Sequence, residues 1–353
     1  MHNPLIVKLI FILIILFSPL VSQTHWVKYG WQVYESAGDA RSKSLGSAVV
    51  TDQGATIASL YNPASINKDA KHNIHYTHQS RLGGMINSDL FGMPLKKFKR
   101  PLNLIIMYEG IDKIPDTRDM LLDFGFDGIP GTGDAGEGNG QIDEGERLDK
   151  DKLSFFSQKQ TGIHLSTYWD MGSYSYGVAI KSLIHNLGEF SSTGIGIDFG
   201  LMSSLWENGK IGLIVRDATT SWQVWNNGTV ERFKPILIAG FSHQHYFEKN
   251  KLKLIGSVDF KWDTNSNKSF LNTLNPNNTY GMLGLNVVYN ERIALRIGKN
   301  QNNATTLGIG LSWSNISLDY AFIGESINAG LGSTHLISFS VDSNLILRYI
   351  DNL

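Results

Sequence analysis

The chain has 353 residues, with 31 basic and 32 acidic side chains, a formal net charge of −1, 36 Gly and no Cys. So little charge beside 17 Phe, 13 Tyr and 8 Trp excludes a disordered chain. The near-neutral balance excludes a dedicated nucleic-acid binder, and the lack of Cys excludes disulfides, thiolate metal sites and Cys nucleophiles.

In chain order, Lys8 is followed by the unbroken apolar run Leu9 to Phe17 and then by Ser18-Pro19-Leu20-Val21-Ser22-Gln23. A basic start, a short apolar stretch and a small residue at the cut predict a signal peptide over 1–22. The apolar run is too short to span a membrane as a helix. Residues 38–66 are small and polar, with no clean period, so 23–66 is set apart as an N-terminal segment.

From about Lys71 to Asp342 one theme repeats: apolar and small or polar residues alternate for about ten residues, then a turn follows. Tyr174, Tyr176, Val178 and Ile180 alternate with Ser175, Gly177, Ala179 and Lys181. Ile195, Ile197, Phe199 and Leu201 alternate with Gly194, Gly196, Asp198 and Gly200. The same holds for Val258, Phe260 and Trp262 against Ser257, Asp259 and Lys261, and through Leu307 to Trp313 and Ile316 to Phe322. Asn208-Gly209, Asn227-Gly228, Asn275-Pro276 and Asn290-Glu291 mark turns. The pattern predicts about thirteen strands, with Met85–Leu95 as a candidate fourteenth.

A soluble sandwich and a membrane barrel both alternate. Three features favour the barrel. The runs have the nine to eleven residues that a tilted membrane strand needs. Aromatic residues (Tyr168, Trp169, Trp262, Tyr289, Trp313) sit near strand ends, where an interfacial girdle lies. The other face is rich in Gly, Ser and Asp rather than the Lys and Glu of a solvated surface. The fold class is therefore all-β: a transmembrane antiparallel β-barrel over 67–353, in contact with outer-membrane lipid. The alternative is a soluble β-sandwich surface protein.

Residues 112–151 interrupt the pattern with twelve acidic and four basic residues, a local charge of −8. An insertion of this length belongs on the extracellular side of a barrel. Aligned with a calcium loop, Asn139 takes the fifth position, Gly140 the sixth, Asp143 the ninth and Glu146 the twelfth, with Glu137 at the third. The first position falls on Ala135, and Asp123, Asp127 or Asp134 would have to complete the oxygen set. The expectation is a structural Ca2+ held by Asp123, Asp127, Asp134, Glu137, Asn139, Asp143 and Glu146. The alternative is a solvated acidic loop. His72, His75 and His78 do not share one strand face, and His243 and His245 have no carboxylate nearby in sequence, so neither set predicts a metal site. No nucleophile elbow, zinc helix or phosphate loop occurs, and no enzyme is expected.

The stretch Gly38-Asp39-Ala40-Arg41-Ser42-Lys43-Ser44-Leu45-Gly46-Ser47-Ala48-Val49-Val50, then Asn62-Pro63-Ala64-Ser65-Ile66, resembles the PorV/PorQ family of outer-membrane barrels, which are related to the FadL fatty-acid transporters. Leu318 to Phe322 and Leu331 to His335 resemble that family's last hairpin. The resemblance implies fourteen strands and an N-terminal plug in the lumen, with Arg41, Gly46, Asn62, Pro63 and Ala64 as its motif. It also implies a Gram-negative outer membrane and an accessory role in type IX secretion, binding or shuttling secreted proteins beside the translocon. The alternative is FadL-like transport of a hydrophobic small molecule, which would need a pocket between plug and wall and a lateral opening.

Overall fold

The computed structural model describes residues 24–26, 31–53, 55–66, 73–95, 100–263, 279–324 and 332–345. The expected signal peptide and the Asn275-Pro276 turn lie outside them. The wall strands are β1 (Asn73–Arg81), β2 (Ile86–Leu95), β3 (Leu102–Asp116), β4 (Ser154–Asp170), β5 (Tyr174–Leu187) and β6 (Phe190–Trp206). Next come two interrupted strands, β7 (Gly209–Arg216 and Ser221–Trp225) and β8 (Val230–Phe233 and Ile236–Phe247). The ring is completed by β9 (Leu252–Asp263), β10 (Thr279–Tyr289), β11 (Ile293–Lys299), β12 (Thr305–Trp313), β13 (Ile316–Ile323) and β14 (Thr334–Asp342). Each strand pairs antiparallel with its neighbour in sequence, and β14 returns to β1, from His335↔Ser80 to Asp342↔Asn73. Fourteen strands thus close a barrel. Among the described residues, closure pairs the first and last wall strands with each other, as a strand structure in lipid requires.

Alternation sets the two faces. Ala179 on β5 is fully buried while its neighbour Ile180 is 51% exposed. Along β6, Ile195, Phe199 and Leu201 point outward, and Asp198 points into the lumen. The outward residues form an apolar band and the inward ones a Gly, Ser and charged lining, as a membrane barrel demands. Trp169, Trp262, Tyr289 and Trp313 are on the outward face, with Trp169 stacked on Tyr176 at 5.0 Å. Tyr168 departs from the girdle expectation. It is buried and faces inward, because adjacent strand positions cannot share a face.

The acidic insertion leaves from the end opposite to Asn73 and Asp342, here called the outer end. The strand before it runs past the expected boundary, with β3 continuing to Asp116, whereas β4 starts only at Ser154, after the expected end at 151. The loop proper is 117–153, pinned at its base by the small hairpin of Leu121–Leu122 with Arg147–Leu148.

Residues 31–66 fill the lumen. The sequence has no clean period there, yet three short helices form: α1 (Gln32–Ser36), α2 (Ala40–Ser44) and α3 (Ala58–Tyr61). Each has at most five residues, too short to be stable alone or to display a period. Tertiary contacts hold them. The largest buried apolar cluster joins plug residues Trp31, Val33, Tyr34, Leu60 and Tyr61 to wall residues such as Ile105, Met107 and Leu183. The core of this protein is therefore the plug against the inner wall.

Candidate functional site

Three pairs of glycines, each pair directly opposed across neighbouring strands, seat the plug. Gly177 on β5 faces Gly200 on β6. A Cβ at Gly177 would collide with the Pro63 carbonyl, and one at Gly200 with the Asn62 side chain. Gly212 on β7 faces Gly240 on β8, and Cβ atoms there would lie 2.8 Å from the Val50 carbonyl oxygen and 3.0 Å from the Val50 side chain. Gly284 on β10 faces Gly298 on β11, with the Leu45 and Gly46 backbone on top. Glycine weakens a strand unless another backbone comes close, and at these three places it does.

Hydrogen bonds then fix the plug's height. Val50 N–H donates to Asp259 Oδ2 (2.9 Å) and Gly46 N–H to Thr306 Oγ1 (3.0 Å). Ala40 N–H donates to Ser338 Oγ (2.7 Å) and Val33 N–H to Gln160 Oε1 (3.0 Å). Asn62, fully buried, caps the turn over Pro63–Ser65 by accepting from Ala64 N–H at 3.0 Å. Its amide group donates to the Val50 carbonyl (3.0 Å) and the Leu201 carbonyl (3.1 Å). Arg41 makes a two-pronged pair with Asp52 inside the plug, both contacts at 2.8 Å. Gly46 therefore seats the plug on β11 and β12, and Asn62, Pro63 and Ala64 seat it on β5 and β6, at separate parts of the wall, whereas Arg41 bonds within the plug.

The plug separates two cavities. The outer one, about 480 Å3, is bordered by the outer-end turns at Leu82 and Asn300–Asn302. The inner one, about 150 Å3, is bordered by Asn208 and Lys253 at the other end. The outer cavity mixes apolar walls (Tyr34, Leu60, Ile238, Met282) with the charged groups Glu35, Lys43, Arg81, Arg216 and Lys261. Lys261 Nζ donates to Glu35 Oε2 at 3.0 Å, and Arg81 pairs with Glu109. Burial alone would raise Glu35, but the Lys261, Arg216 and Lys43 cations outweigh it and hold the carboxyl at about 2. Burial pulls Lys43 down to about 8, with Glu35 opposing and the Arg216 and Arg81 cations adding to the fall.

A third cavity, of about 360 Å3, shares Glu35, Arg216 and Lys261 with the outer one and reaches an interruption in the β7–β8 ladder. Residues 217–220 on β7 lie opposite 234–235 on β8, between the register pairs Arg216↔Ile236 and Ser221↔Phe233. Pro235 has no N–H to offer the ladder, and Asp217 and Thr220 adopt φ of 54° and 65°, strained for residues with a side chain. Lys181 anchors the inward-turned segment, with Nζ 2.6 Å from Asp217 and 2.9 Å from Asp198. This interruption of the ladder between β7 and β8 had no sequence signal beyond Pro235.

The predicted calcium ligands all lie on the outer-end loop. Asp123 accepts from Gly138 N–H (2.8 Å) and Gly140 N–H (2.7 Å), which holds its carboxyl below the usual range. Asp134 accepts from Asp127 N–H (2.7 Å), and Asp127 from Ile129 N–H (2.8 Å). Glu137 accepts from Gly131 and Gly133. Asn139 donates to Asp143 (2.6 Å), and Glu146 accepts from Gly125 N–H (3.0 Å) and Asp143 N–H (2.9 Å). Among the described residues no three His, Asp or Glu side chains are gathered closely enough to hold a metal ion. His75 faces the lumen and bonds Ser340 and Thr77, whereas His78 faces outward and pairs with Asp89, so they share no site.

Sequence reasoning missed Glu35, Lys43, Arg216 and Lys261 as one group. The available signal was a charged residue on the inward, glycine-rich face, which marks Lys261 but not its partners.

The barrel is similar to the Pseudomonas putida toluene transporter TodX, with a TM-score of 0.52 at 10% identity over 87% of this chain and 98% of TodX. It is also similar to the Ralstonia pickettii toluene transporter TbuX (TM-score 0.49, 9% identity, 87% and 98% covered). A Pseudomonas aeruginosa FadL homologue is similar at a TM-score of 0.42 (10% identity, 86% and 98% covered). No protein-family model and no curated protein matches the chain.

Proposed function

We propose that this protein is a bacterial outer-membrane barrel that admits a small molecule from outside into a plugged lumen, the FadL-like reading. The observation that carries it is the outer cavity of about 480 Å3 above a firmly seated plug, in a barrel with the fold of TodX, a toluene transporter. A wide diffusion pore would need an open lumen, and here plug side chains occupy it. The secretion reading that the PorV/PorQ resemblance implies rests on Arg41, Gly46 and Asn62-Pro63-Ala64. Gly46, Asn62, Pro63 and Ala64 pack the plug against the wall and Arg41 bonds within it, a structural task that does not by itself point to secretion. The outer-end loop is proposed to hold a calcium ion, on the carboxylate spacing alone.

Gentle detergent extraction from native membranes, followed by mass spectrometry of proteins and small molecules together, tests the reading. The expected result is a barrel carrying a stoichiometric small molecule. Secreted proteins sharing a C-terminal domain, or translocon subunits, with no small molecule, would overturn it in favour of secretion.

A further inference from the structure

We propose that the outward face of the β1–β2 hairpin carries an esterase site that cleaves acyl esters of outer-leaflet lipid. Ser80 is the nucleophile, His78 its base, Asp89 the group that orients His78, and Asn87 the oxyanion donor. The site lies outside the lumen and goes beyond the uptake reading. Alternation puts Tyr76, His78 and Ser80 of β1 on the outward face, with Asn87, Asp89 and Phe91 of β2 beside them. The register sets His78 opposite Asp89 and Ser80 opposite Asn87. His78 Nδ1 lies 3.0 Å from Asp89 Oδ1, and the two side chains are 46% and 41% exposed. Tyr76 OH donates to the same carboxylate oxygen at 2.7 Å. No sequence motif announces this group, because its members meet only through the register of the hairpin.

Ionisable side chains on the lipid face cost stability, and where they persist they mark function. His78 lies three residues from the outer end of β1, and Trp262, one residue from the outer end of β9, marks the interface at that level. The next row toward the inner end is Phe339, Tyr76, Phe91 and Ile106, side by side on four strands and all exposed. A lipid whose acyl chain lies over that row presents its ester to His78 and Ser80. With Asp89 accepting from Nδ1–H, His78 Nε2 is left to accept a proton. Positions 78 and 80 are about 6.7 Å apart along a strand, a gap that an imidazole and a turned hydroxyl bridge with one hydrogen bond. The Ser80 hydroxyl makes no hydrogen bond with another described residue and is free to turn, and such contacts commonly close only when substrate is bound. Asn87 Nδ2 donates one hydrogen to the Gly84 carbonyl (3.0 Å) and has a second for an oxyanion. Ser80 Oγ attacks the ester carbonyl carbon as its proton passes to His78 Nε2. The bond from that carbon to the alcohol oxygen breaks, and the alcohol leaves with the proton. Water then gives a proton to Nε2 and attacks the acyl–Ser80 ester, and the fatty acid departs as that proton returns to Ser80 Oγ.

The test places the full chain in mixed detergent micelles with palmitoyl-oleoyl phosphatidylethanolamine. Mass spectrometry reads free fatty acid and lysolipid, and a fluorophosphonate probe reads the nucleophile. Fatty acid and lysolipid should appear in equal amounts, and the probe should modify Ser80. Ser80→Ala and His78→Ala should each lower kcat at least about a hundredfold, and Asn87→Ala should lower it about tenfold to a hundredfold. Asp89→Asn should lower kcat with KM unchanged, and Asp89→Glu should restore part of the loss, as a positioning role requires. Ser333→Ala removes the hydroxyl 3.1 Å from His335 Nε2 at the same end of the barrel, and it should change nothing. The shift in gel mobility on boiling confirms that each variant is a folded barrel. Absence of fatty acid release overturns the proposal, as does hydrolysis that survives Ser80→Ala or a probe adduct on another serine. Cleavage of p-nitrophenyl acetate without cleavage of the phospholipid overturns the assignment to lipid. None of these results bears on the small molecule recovered from native membranes, which decides the uptake reading.

Discussion

Asn62 uses both amide hydrogens and its carbonyl oxygen in one buried place, tying Val50 of the plug to Leu201 of the wall while capping Ala64. Asn62→Ala strands two carbonyls and one N–H, and each buried unsatisfied group costs about 1–3 kcal/mol. The expected outcome is a plug that exchanges its amide hydrogens faster over 45–66 within an intact barrel, read by hydrogen exchange. Gly200→Val acts from the other side. Its side chain collides with Asn62 and the Pro63 ring, so the same plug amides should open, whereas Gly256→Val, where a new Cβ meets nothing, should leave them protected. The Asn-Pro-Ala step was visible in the sequence as part of the motif that carries the family resemblance. Its glycine seat was not, because Gly177 and Gly200 each read only as small residues in an alternating strand, and their pairing is a property of register.

At the scale of the element, α1 is held by a charge that the sequence could not place. Glu35 lies on a five-residue helix and meets Lys261, which lies 226 positions further along the chain. Its folded pKa of about 2 lies below the ordinary Glu value of about 4.3. A depressed carboxyl contributes stability above the ordinary value and loses it as pH falls toward the folded value. Protection of the α1 amides should therefore be constant from pH 7 to about 5 and decline between about 5 and 2. Glu35→Gln should remove that slope, and a slope unchanged in the variant would place the titrating group elsewhere. The wall strands were far more legible. The registers through β5, β6, β12 and β13 follow the alternation residue by residue, and Met85–Leu95 does supply a strand, Ile86–Leu95. Tyr168 shows the limit: proximity to a strand end does not decide which side a residue faces.

Across the whole molecule, charge is divided by region. The loop and its flanks carry −8, which leaves +7 for the rest of the chain, and the cations Lys43, Arg81, Arg216 and Lys261 line the lumen cavity at the same outer end. Loop residues line neither the outer cavity nor the cavity beside the wall interruption. The loop closes on itself through Leu121–Leu122 with Arg147–Leu148 and through Asp149 N–H to the Met120 carbonyl (2.7 Å). Excising 119–151 and joining the flanks with a short Gly-Ser turn should therefore leave a folded, boiling-sensitive barrel. Calcium titrated into the whole protein should release or absorb heat that the excised variant lacks. Equal heats, or none in either, would end the calcium reading.

The sequence by itself determined the class of fold, its inward and outward faces and the position of the loop, because period-two alternation, turn residues and a block of like charge are local properties of the chain. The tertiary structure decided where the chain is closed, where the wall is interrupted, and which charges meet. Glu35 and Lys43 on the plug join Arg216 and Lys261 on the wall only when a barrel closes around the plug. Three glycine pairs become seats only when neighbouring strands settle into one register. Both depend on contacts between distant segments, and those contacts do not exist until the long loops between them have closed.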